Sequence, residues 1–239
     1  MKTLLLSLLL ALLATGSSAV TFTLKNNCPY PIWPGTLSGK GTPQLPSTGF
    51  ELPPGQTYQL PVPPQWSGRL WARTLCATDR TGKFVCATAD CASGQVACNG
   101  AGAIPPATLV ELTLGSSTGK DFFDISLVDG YNIQVSVVPT GQGCSSTSCP
   151  VNVNSRCPPE LALLGSDGAV LACKSACLAF NQPQYCCSGA YASPETCHPT
   201  NYSMIFKNAC PQAYSYAFDD KSSTFTCNSG GDYNIIFCP

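Results

Sequence analysis

The chain has 239 residues with 12 basic and 13 acidic side chains, so its net charge is close to zero. This balance argues against nucleic acid and anionic membranes as partners, because basic patches recognise both. Pro and Gly, with 21 residues each, disfavour helix interiors, so the composition predicts a mainly β protein. The length suffices for a hydrophobic core and does not require more than one domain.

Residues 1–19 are predicted to be a secretion signal. Lys2 supplies a positive charge, residues 4–13 form an apolar run, and Ser17 and Ala19 are small residues ahead of a cleavage site at Val20. The run is too short to span a bilayer, which needs about 20 apolar residues. We therefore expect an exported chain without a transmembrane segment, carrying 11 basic and 13 acidic side chains once Lys2 is removed.

Sixteen cysteines follow the predicted signal, the first at Cys28 and the last at Cys238. Disulfides form in the secretory pathway, so an even count in an exported chain predicts eight bridges rather than metal ligands or nucleophiles. The spacing alone leaves many pairings open. The lone histidine, His198, lacks nearby partners for a metal site or a catalytic triad and is predicted to be a surface residue. No metal or cofactor is predicted.

Alternation of apolar and polar residues predicts strands with one buried face, beginning at residues 20–24. Turn signals such as Pro53-Pro54-Gly55 and Asp129-Gly130 separate the candidate strands. Many short strands punctuated by Gly and Pro predict a sandwich or a barrel. The further strand candidates are residues 70–72, 108–114, 122–128, 131–137 and 233–237.

Two cysteine-rich stretches interrupt the alternation, one beginning at residue 76 and one spanning residues 149–210. Proline at a first-turn position favours a short helix over residues 159–163, and residues 174–180 and 202–210 are further helix candidates. We interpret the two stretches as disulfide-stapled lobes attached to a β-sandwich.

The most specific motif is a run with three cysteines at fixed spacing. Residues 82–91 have the sequence GKFVCATADC, and Cys98 follows after six residues. This run closely resembles the signature of the thaumatin family. The resemblance extends over the whole mature chain and is strongest to the fruit thaumatin-like proteins known as allergens, within pathogenesis-related group 5. The other matching blocks are residues 26–30, 68–74, 124–130, 184–187, 213–216 and 237–239.

The resemblance implies one thaumatin-like domain over residues 20–239, a flattened β-sandwich with two smaller disulfide-rich lobes. The core is expected at about residues 20–75, 108–148 and 211–239. The small lobe is expected at about residues 76–107, and the long lobe, with short helices, at about residues 149–210. The implied bridges are Cys28–Cys238, Cys76–Cys86, Cys91–Cys98, Cys144–Cys227, Cys149–Cys210, Cys157–Cys173, Cys177–Cys186 and Cys187–Cys197.

Three carboxylates lie on candidate strands or turns. Glu111 falls on the more polar face of residues 109–114, opposite Val110 and Leu112. Asp124 and Asp129 are five residues apart, which puts them on opposite faces of a regular strand. They converge only if the strand bends or ends between them, and the Asp129-Gly130 turn signal allows that. The pattern alone favours turn caps and solvated strand faces over a site.

The family resemblance implies that these acids form a site. Thaumatin-like defence proteins have an acidic cleft whose matching positions here are Arg69, Glu111, Asp124, Asp129 and Asp219. Family members bind β-1,3-glucans, and some hydrolyse them weakly. For hydrolysis we expect Glu111 as the acid and Asp129 as the nucleophile or base, with Asp124 in support and Arg69 fixing carboxylate geometry. The alternative for Arg69 is that it only neutralises a buried acid. Candidate aromatics for stacking on sugar rings are Phe123, Tyr131 and Phe218.

The resulting expectation is a secreted, monomeric, antifungal plant defence protein of the apoplast or cell wall. It would bind β-1,3-glucan or another fungal cell-wall polysaccharide, with catalysis absent or weak. The alternative is a true endo-β-1,3-glucanase that uses Glu111 and Asp129. A sweet or membrane-permeabilising protein is disfavoured, because relatives with those activities tend to be basic. Asn201 begins a possible N-glycosylation sequon.

Overall fold

The computed structural model describes residues 20–116 and 118–239, so the predicted secretion signal lies outside the described residues. In these ranges the fold is mainly β, as predicted, with a few short helices. The strands are β1 Val20–Asn26, β2 Trp33–Ser38, β3 Thr57–Val62, β4 Ser67–Thr78, β5 Phe84–Thr88, β6 Leu109–Thr113, β7 Lys120–Ser126, β8 Val135–Pro139, β9 Thr147–Cys149, β10 Ala162–Leu164, β11 Val170–Cys173, β12 Phe225–Asn228 and β13 Tyr233–Phe237. The α-helices are α1 Ala176–Phe180, α2 Pro183–Cys186, α3 Asn201–Ala209 and α4 Asp220–Ser223.

Two sheets make up the sandwich. One has the strand order β3-β1-β13-β8-β9, and the other has the order β12-β7-β6-β4-β2, with β5 paired to the extended end of β4. Strands β10 and β11 form a separate hairpin in the long lobe. The first and last strands, β1 and β13, are parallel neighbours, and the Cys28–Cys238 bridge joins the chain just beyond both. The two ends of the described chain are therefore held together by hydrogen bonds and by a covalent link.

Aromatic side chains connect the two sheets through the core. Phe22 of β1 packs edge-on against Trp66 and Tyr233, with ring centroids 5.6 and 5.9 Å apart. Phe123 of the opposite sheet reaches the same Tyr233 at 5.5 Å. The Tyr233 hydroxyl donates a hydrogen bond of 2.8 Å to the buried carboxylate of Asp121. This cluster fixes which face of each sheet points inward, because edge-on aromatic pairs depend on their geometry.

All sixteen cysteines are paired, and the pairs are the eight that the family resemblance implies. The three longest loops are closed by Cys28–Cys238, Cys144–Cys227 and Cys149–Cys210. The small lobe contains Cys76–Cys86 and Cys91–Cys98. The long lobe contains the remaining three, Cys157–Cys173, Cys177–Cys186 and Cys187–Cys197. Bridges of this kind stabilise a fold mainly by restricting the unfolded chain.

The structure corrects two element predictions. Residues 131–134 alternate like a strand but lie outside β8, because Tyr131 bridges to Cys173 and the Asn132 side chain bonds Ala72, Thr88 and Thr108. Residues 159–163 form only a 3-10 turn, Pro159–Leu161, before β10 begins. The other two helix candidates correspond to α1 and α3, each with a side-chain cap at its first turn.

Arg73 of β4 ties the small lobe to the six-stranded sheet. Its side chain is fully buried, and it donates hydrogen bonds to the backbone carbonyls of Trp33 at 3.0 Å and Val96 at 2.6 Å. The guanidinium also lies 5.4 Å from the ring centre of Phe84. Burial lowers the pKa of Arg73 to about 10, against the opposing attraction of Asp90. The cation is thus held by carbonyl dipoles and an aromatic ring.

We predict that Arg73→Met lowers the free energy of unfolding by about 3 kcal/mol, because several buried carbonyls lose their donor. Guanidinium chloride unfolding with the disulfides intact measures this change. Arg80→Met, at an exposed position in the same lobe, is the control and should leave stability nearly unchanged. Equal stability of the two variants would contradict the tethering role of Arg73.

Candidate functional site

Three of the predicted site residues form one row across the six-stranded sheet. Arg69 of β4 is the register partner of Glu111 in β6, and Glu111 is the register partner of Asp124 in β7. Directly opposite residues on antiparallel strands have Cβ atoms about 4.5–5.5 Å apart. Because Leu70, Val110 and Ile125 fill the core side, the row stands on the outer face. The fold therefore juxtaposes a guanidinium and two carboxyls that are far apart in sequence.

The row borders two adjacent pockets, which we describe as the two arms of one groove. One arm has a volume of about 450 Å³ and the other about 340 Å³, and Arg69, Glu111 and Asp124 line both. The larger arm continues past Phe122 and Thr113. The smaller arm continues past Asp129, Tyr214 and Asp220. We call the whole groove the acidic cleft. Each arm falls within the range of volumes typical of small-molecule sites.

Asp124 and Asp129 converge although their spacing would separate them on a regular strand. Strand β7 ends at Ser126, and a turn closes with a hydrogen bond of 2.9 Å from the Gly130 amide to the Leu127 carbonyl. Gly130 has a φ of +91°, and a Cβ at this position would lie 2.5 Å from the Cys173 carbonyl oxygen. Glycine is thus required where the turn packs against the long lobe. The turn carries Asp129 into the smaller arm of the cleft.

Asp219 does not line the cleft. Its carboxylate forms an ion pair of 2.8 Å with Lys207 of α3 and accepts hydrogen bonds from Ser215 and Ser222. The adjacent Asp220 lines the smaller arm instead, where its carboxylate accepts a hydrogen bond of 2.9 Å from the Tyr214 hydroxyl. The fifth position of the predicted set is therefore occupied by Asp220. Sequence spacing could not separate two neighbouring aspartates that begin a short helix.

The aromatic residues expected to stack on sugars are placed differently. Phe123 and Tyr131 are wrong assignments, because both are fully buried in the core. Phe218 is half-buried and does not line the cleft. The aromatic side chains that do line it are Phe122, which is 37% exposed, and Tyr214. Phe122 directly precedes a core residue in β7, so the period-2 rule places it on the outer face.

Burial changes the acidity of two carboxyls in the row. Burial and, to a smaller extent, the neighbouring Glu111 and Asp220 together raise the pKa of Asp124 from 3.8 to about 8. Burial also raises the pKa of Glu111, while the positive charge of Arg69 opposes that rise. One oxygen of Asp124 is buried and has no hydrogen-bond partner among the described residues. Such an atom is costly when charged, which agrees with a protonated Asp124 at neutral pH.

Arg69 forms no ion pair within the described residues. Within residues 20–116 and 118–239, no carboxylate oxygen lies within 4.0 Å of its guanidinium nitrogens. The one salt bridge in these ranges joins Lys207 to Asp219. The alternative that Arg69 only neutralises a buried acid is therefore not supported by a direct contact. Its donors remain available to a ligand in either arm of the cleft.

The remaining predicted residues lie elsewhere. Asn201 is exposed at the first position of α3, and Ser203 of its sequon is engaged in the helix capping box. His198 is exposed in the long lobe. The described residues contain no group of three or more His, Cys, Asp or Glu side chains placed to hold a metal ion. No helix in the described part of the chain is long and apolar enough to cross a membrane.

The fold and the cleft define a class of protein, a disulfide-rich β-sandwich with a carboxylate-lined groove across one sheet. Residues 26–239 match the Thaumatin family model, and the chain belongs to that family. The resemblance predicted from the sequence is thus confirmed.

Relatives and solved structures extend this assignment. The chain is 60% identical to "Thaumatin-like protein 1" of Pyrus pyrifolia, with 94% of this chain and 93% of the relative covered. It is also 60% identical to a Prunus avium protein named "Glucan endo-1,3-beta-glucosidase", with both chains fully covered. A laminaripentaose-producing β-1,3-glucanase, solved in complex with laminaritetraose, is similar with a TM-score of 0.64. Its identity is 12%, with 92% and 98% of the two chains covered, so it shows a shared fold alone.

We predict that the raised pKa of Asp124 makes stability fall as the pH rises from about 4 to about 8. In this window the carboxyl of the unfolded chain ionises while that of the folded chain keeps its proton, which favours unfolding. Below this window both carboxyls are protonated, and Asp124 does not lower the free energy of unfolding. Asp124→Asn should therefore be more stable than the wild type at pH 7, by about 4 kcal/mol, and nearly equal at pH 3.

Unfolding free energies at pH 3, 5 and 7 measure the effect. The variant should be made in a bacterial periplasm, because the change creates an Asn-Ile-Ser sequon at residues 124–126. If the free energies of unfolding of variant and wild type changed in parallel with pH, the pKa of Asp124 would not be raised by folding and the prediction would be wrong.

Proposed function

We propose that this thaumatin-family protein is a secreted plant defence protein that binds neutral β-1,3-glucan of fungal walls in the acidic cleft. The observation that carries the proposal is the row formed by Arg69, Glu111 and Asp124, which stands where the two arms of the cleft meet. Catalysis in this proposal is weak or absent.

The chemistry of the cleft suits an uncharged polysaccharide. Ionised carboxylates accept hydrogen bonds and a guanidinium donates them, so the row can bind sugar hydroxyls that act as donors and sugar hydroxyls that act as acceptors. The exposed ring of Phe122 provides an apolar surface for a sugar face in the larger arm. An anionic polymer would bring its charge against Asp129 and Asp220 in the smaller arm. Two connected arms also suit a chain that extends on both sides of the row.

One relative supports the choice of glucan, and one solved structure that shares only the fold agrees with it. The Prunus avium protein named as a glucan endo-1,3-β-glucosidase is similar over its full length. The glucanase that shares the fold was solved with laminaritetraose. Export and an apoplastic location are proposed from the predicted signal at residues 1–19 together with the disulfides, because bridges form in the secretory pathway.

Weak endo-β-1,3-glucanase activity is the second candidate function, and the pKa values in the row favour it. Glycoside hydrolysis needs one protonated and one ionised carboxyl at the same bond. Asp124, with a pKa of about 8, fits the acid. Glu111 is the candidate carboxylate, because the Arg69 charge opposes the rise in its pKa that burial causes. This assignment differs from the expectation of Glu111 as acid and Asp129 as nucleophile or base. Asp129→Asn distinguishes the two assignments, because it should abolish turnover only if Asp129 is the nucleophile or base.

We predict that the protein binds laminarin, and that any release of reducing sugar is lost in Glu111→Gln while laminarin binding is retained. Removing an acid–base group lowers such rates by about 10²–10⁴-fold. Glu195→Gln, at an exposed position in the long lobe, is the matched control and should keep both properties. Phe122→Ala should weaken laminarin binding, whereas Tyr191→Ala, at a similarly exposed aromatic, should not.

Calorimetry and a reducing-sugar assay measure these two properties separately. Failure of the wild-type protein to bind laminarin, or equal binding of laminarin and polygalacturonate, would reject the cleft as a site for neutral glucan. Unchanged sugar release from Glu111→Gln would reject the catalytic assignment alone.

A further inference from the structure

A second pocket lies where the β-sandwich meets the long lobe, and it shares no lining residue with the acidic cleft. Its volume is about 200 Å³, smaller than either arm of the cleft. Tyr30 follows β1, Leu75 belongs to β4, Gln134 precedes β8, and Asn152 and Asn154 flank the start of the 3-10 turn Val153–Arg156. We call it the neutral pocket.

The lining of the neutral pocket is uncharged in the part of the chain that the structure describes. Its polar groups are amides and hydroxyls, and several are already bonded to protein. The Asn154 amide donates to the Leu171 carbonyl at 3.0 Å, and the Asn152 side-chain oxygen accepts from the Asn154 backbone at 3.2 Å. The side-chain nitrogen of Asn152 and the side-chain oxygen of Gln134 have no partner among the described residues. The pocket therefore offers a free donor and a free acceptor without a charge.

Two exposed apolar surfaces stand beside these amides. Tyr30 is 41% exposed and Leu75 is 60% exposed. Leu75 also has a φ of +54°, in the left-handed region that costs an L-residue about 1–2 kcal/mol. The strained backbone at Leu75 leaves its apolar side chain mostly exposed, so the strain is not offset by packing of that side chain. Such residues cluster at ligand clamps, where the surrounding structure holds them in place.

The walls of the neutral pocket are fixed before any ligand arrives. The Tyr30 carbonyl accepts a hydrogen bond of 3.0 Å from the Asn26 side chain, and the hydroxyl of the buried Tyr131 donates to the Val151 carbonyl at 3.1 Å. The Cys157–Cys173 bridge joins the 3-10 turn to β11 on the lobe side. A ligand would thus lose little affinity to ordering of the site.

We propose that the neutral pocket binds a single uncharged sugar ring, independently of the acidic cleft. A pyranose has an apolar face for Tyr30 and Leu75, and its hydroxyls both donate to Gln134 and accept from Asn152. A purely apolar ligand would leave these amides without hydrogen bonds, which is costly. A charged ligand would be desolvated in the neutral pocket without a counter-ion. The size of the pocket selects one ring of a glycan rather than a polymer segment.

The test is a titration of the ¹⁵N-labelled protein with methyl β-D-glucopyranoside, followed by NMR at the backbone amides of Leu75, Gln134 and Asn152. We expect saturable shifts at these amides, and much smaller ones with the anionic methyl β-D-glucuronide. Tyr30→Ala should weaken the affinity about fivefold, the loss expected for one aromatic contact. Tyr191→Ala, at 39% exposure in the long lobe, is the matched control and should change nothing.

A second variant separates binding from folding. Asn tolerates positive φ better than Leu, so Leu75→Asn should fold with equal or greater stability and still bind the sugar more weakly. The shifts should also persist in Phe122→Ala, which is expected to weaken binding in the cleft, because Phe122 does not line the neutral pocket. Absence of saturable shifts at the three amides, or equal affinity of Leu75→Asn and wild type, would overturn the proposal whether or not the cleft binds glucan.

Discussion

The register between β4, β6 and β7 is the constraint on which the cleft depends. It sets Leu70, Val110 and Ile125 side by side in the core, and it sets Arg69, Glu111 and Asp124 side by side on the outer face. A slip of one residue would exchange the two rows and bury the charged groups. The hydrophobic energy of the core therefore also specifies the arrangement of the site, since both rows lie on the same strands.

The disulfide-rich lobes supply the walls that the sheet alone lacks. The small lobe covers the outer face beside the row, where Trp71 and Leu109 pack with Ala89 and Cys91. The long lobe contributes Lys207 of α3, which holds Asp219 in a half-buried ion pair. This contact anchors the start of α4 and leaves Asp220 to face the cleft. The bridges carry no chemistry themselves, but they fix the elements that shape the groove.

Much of this arrangement was predictable from sequence because it rests on periodicity and on a specific motif. Alternation placed Glu111 on a polar face opposite Val110, and the cysteine spacing of residues 82–98 indicated the family that implies the eight pairs. The Asp129-Gly130 turn signal allowed Asp124 and Asp129 to converge but did not predict it, because the direction of a turn depends on what packs against it. The exchange of Asp219 for Asp220 depends on Lys207, a tertiary partner that local sequence does not reveal. The burial of Phe123 and Tyr131 likewise follows from packing, while the exposure of Phe122 could have been read from the alternation of β7.

The row of Arg69, Glu111 and Asp124 is, in our proposal, the centre of a glucan-binding cleft. The most direct measurement is a crystal structure of the wild-type protein soaked with laminaritetraose. We expect sugar rings in both arms, with a glycosidic oxygen beside Glu111 and Asp124 and one ring over Phe122. An empty cleft with sugar bound elsewhere, or no bound sugar at saturating concentration, would contradict it.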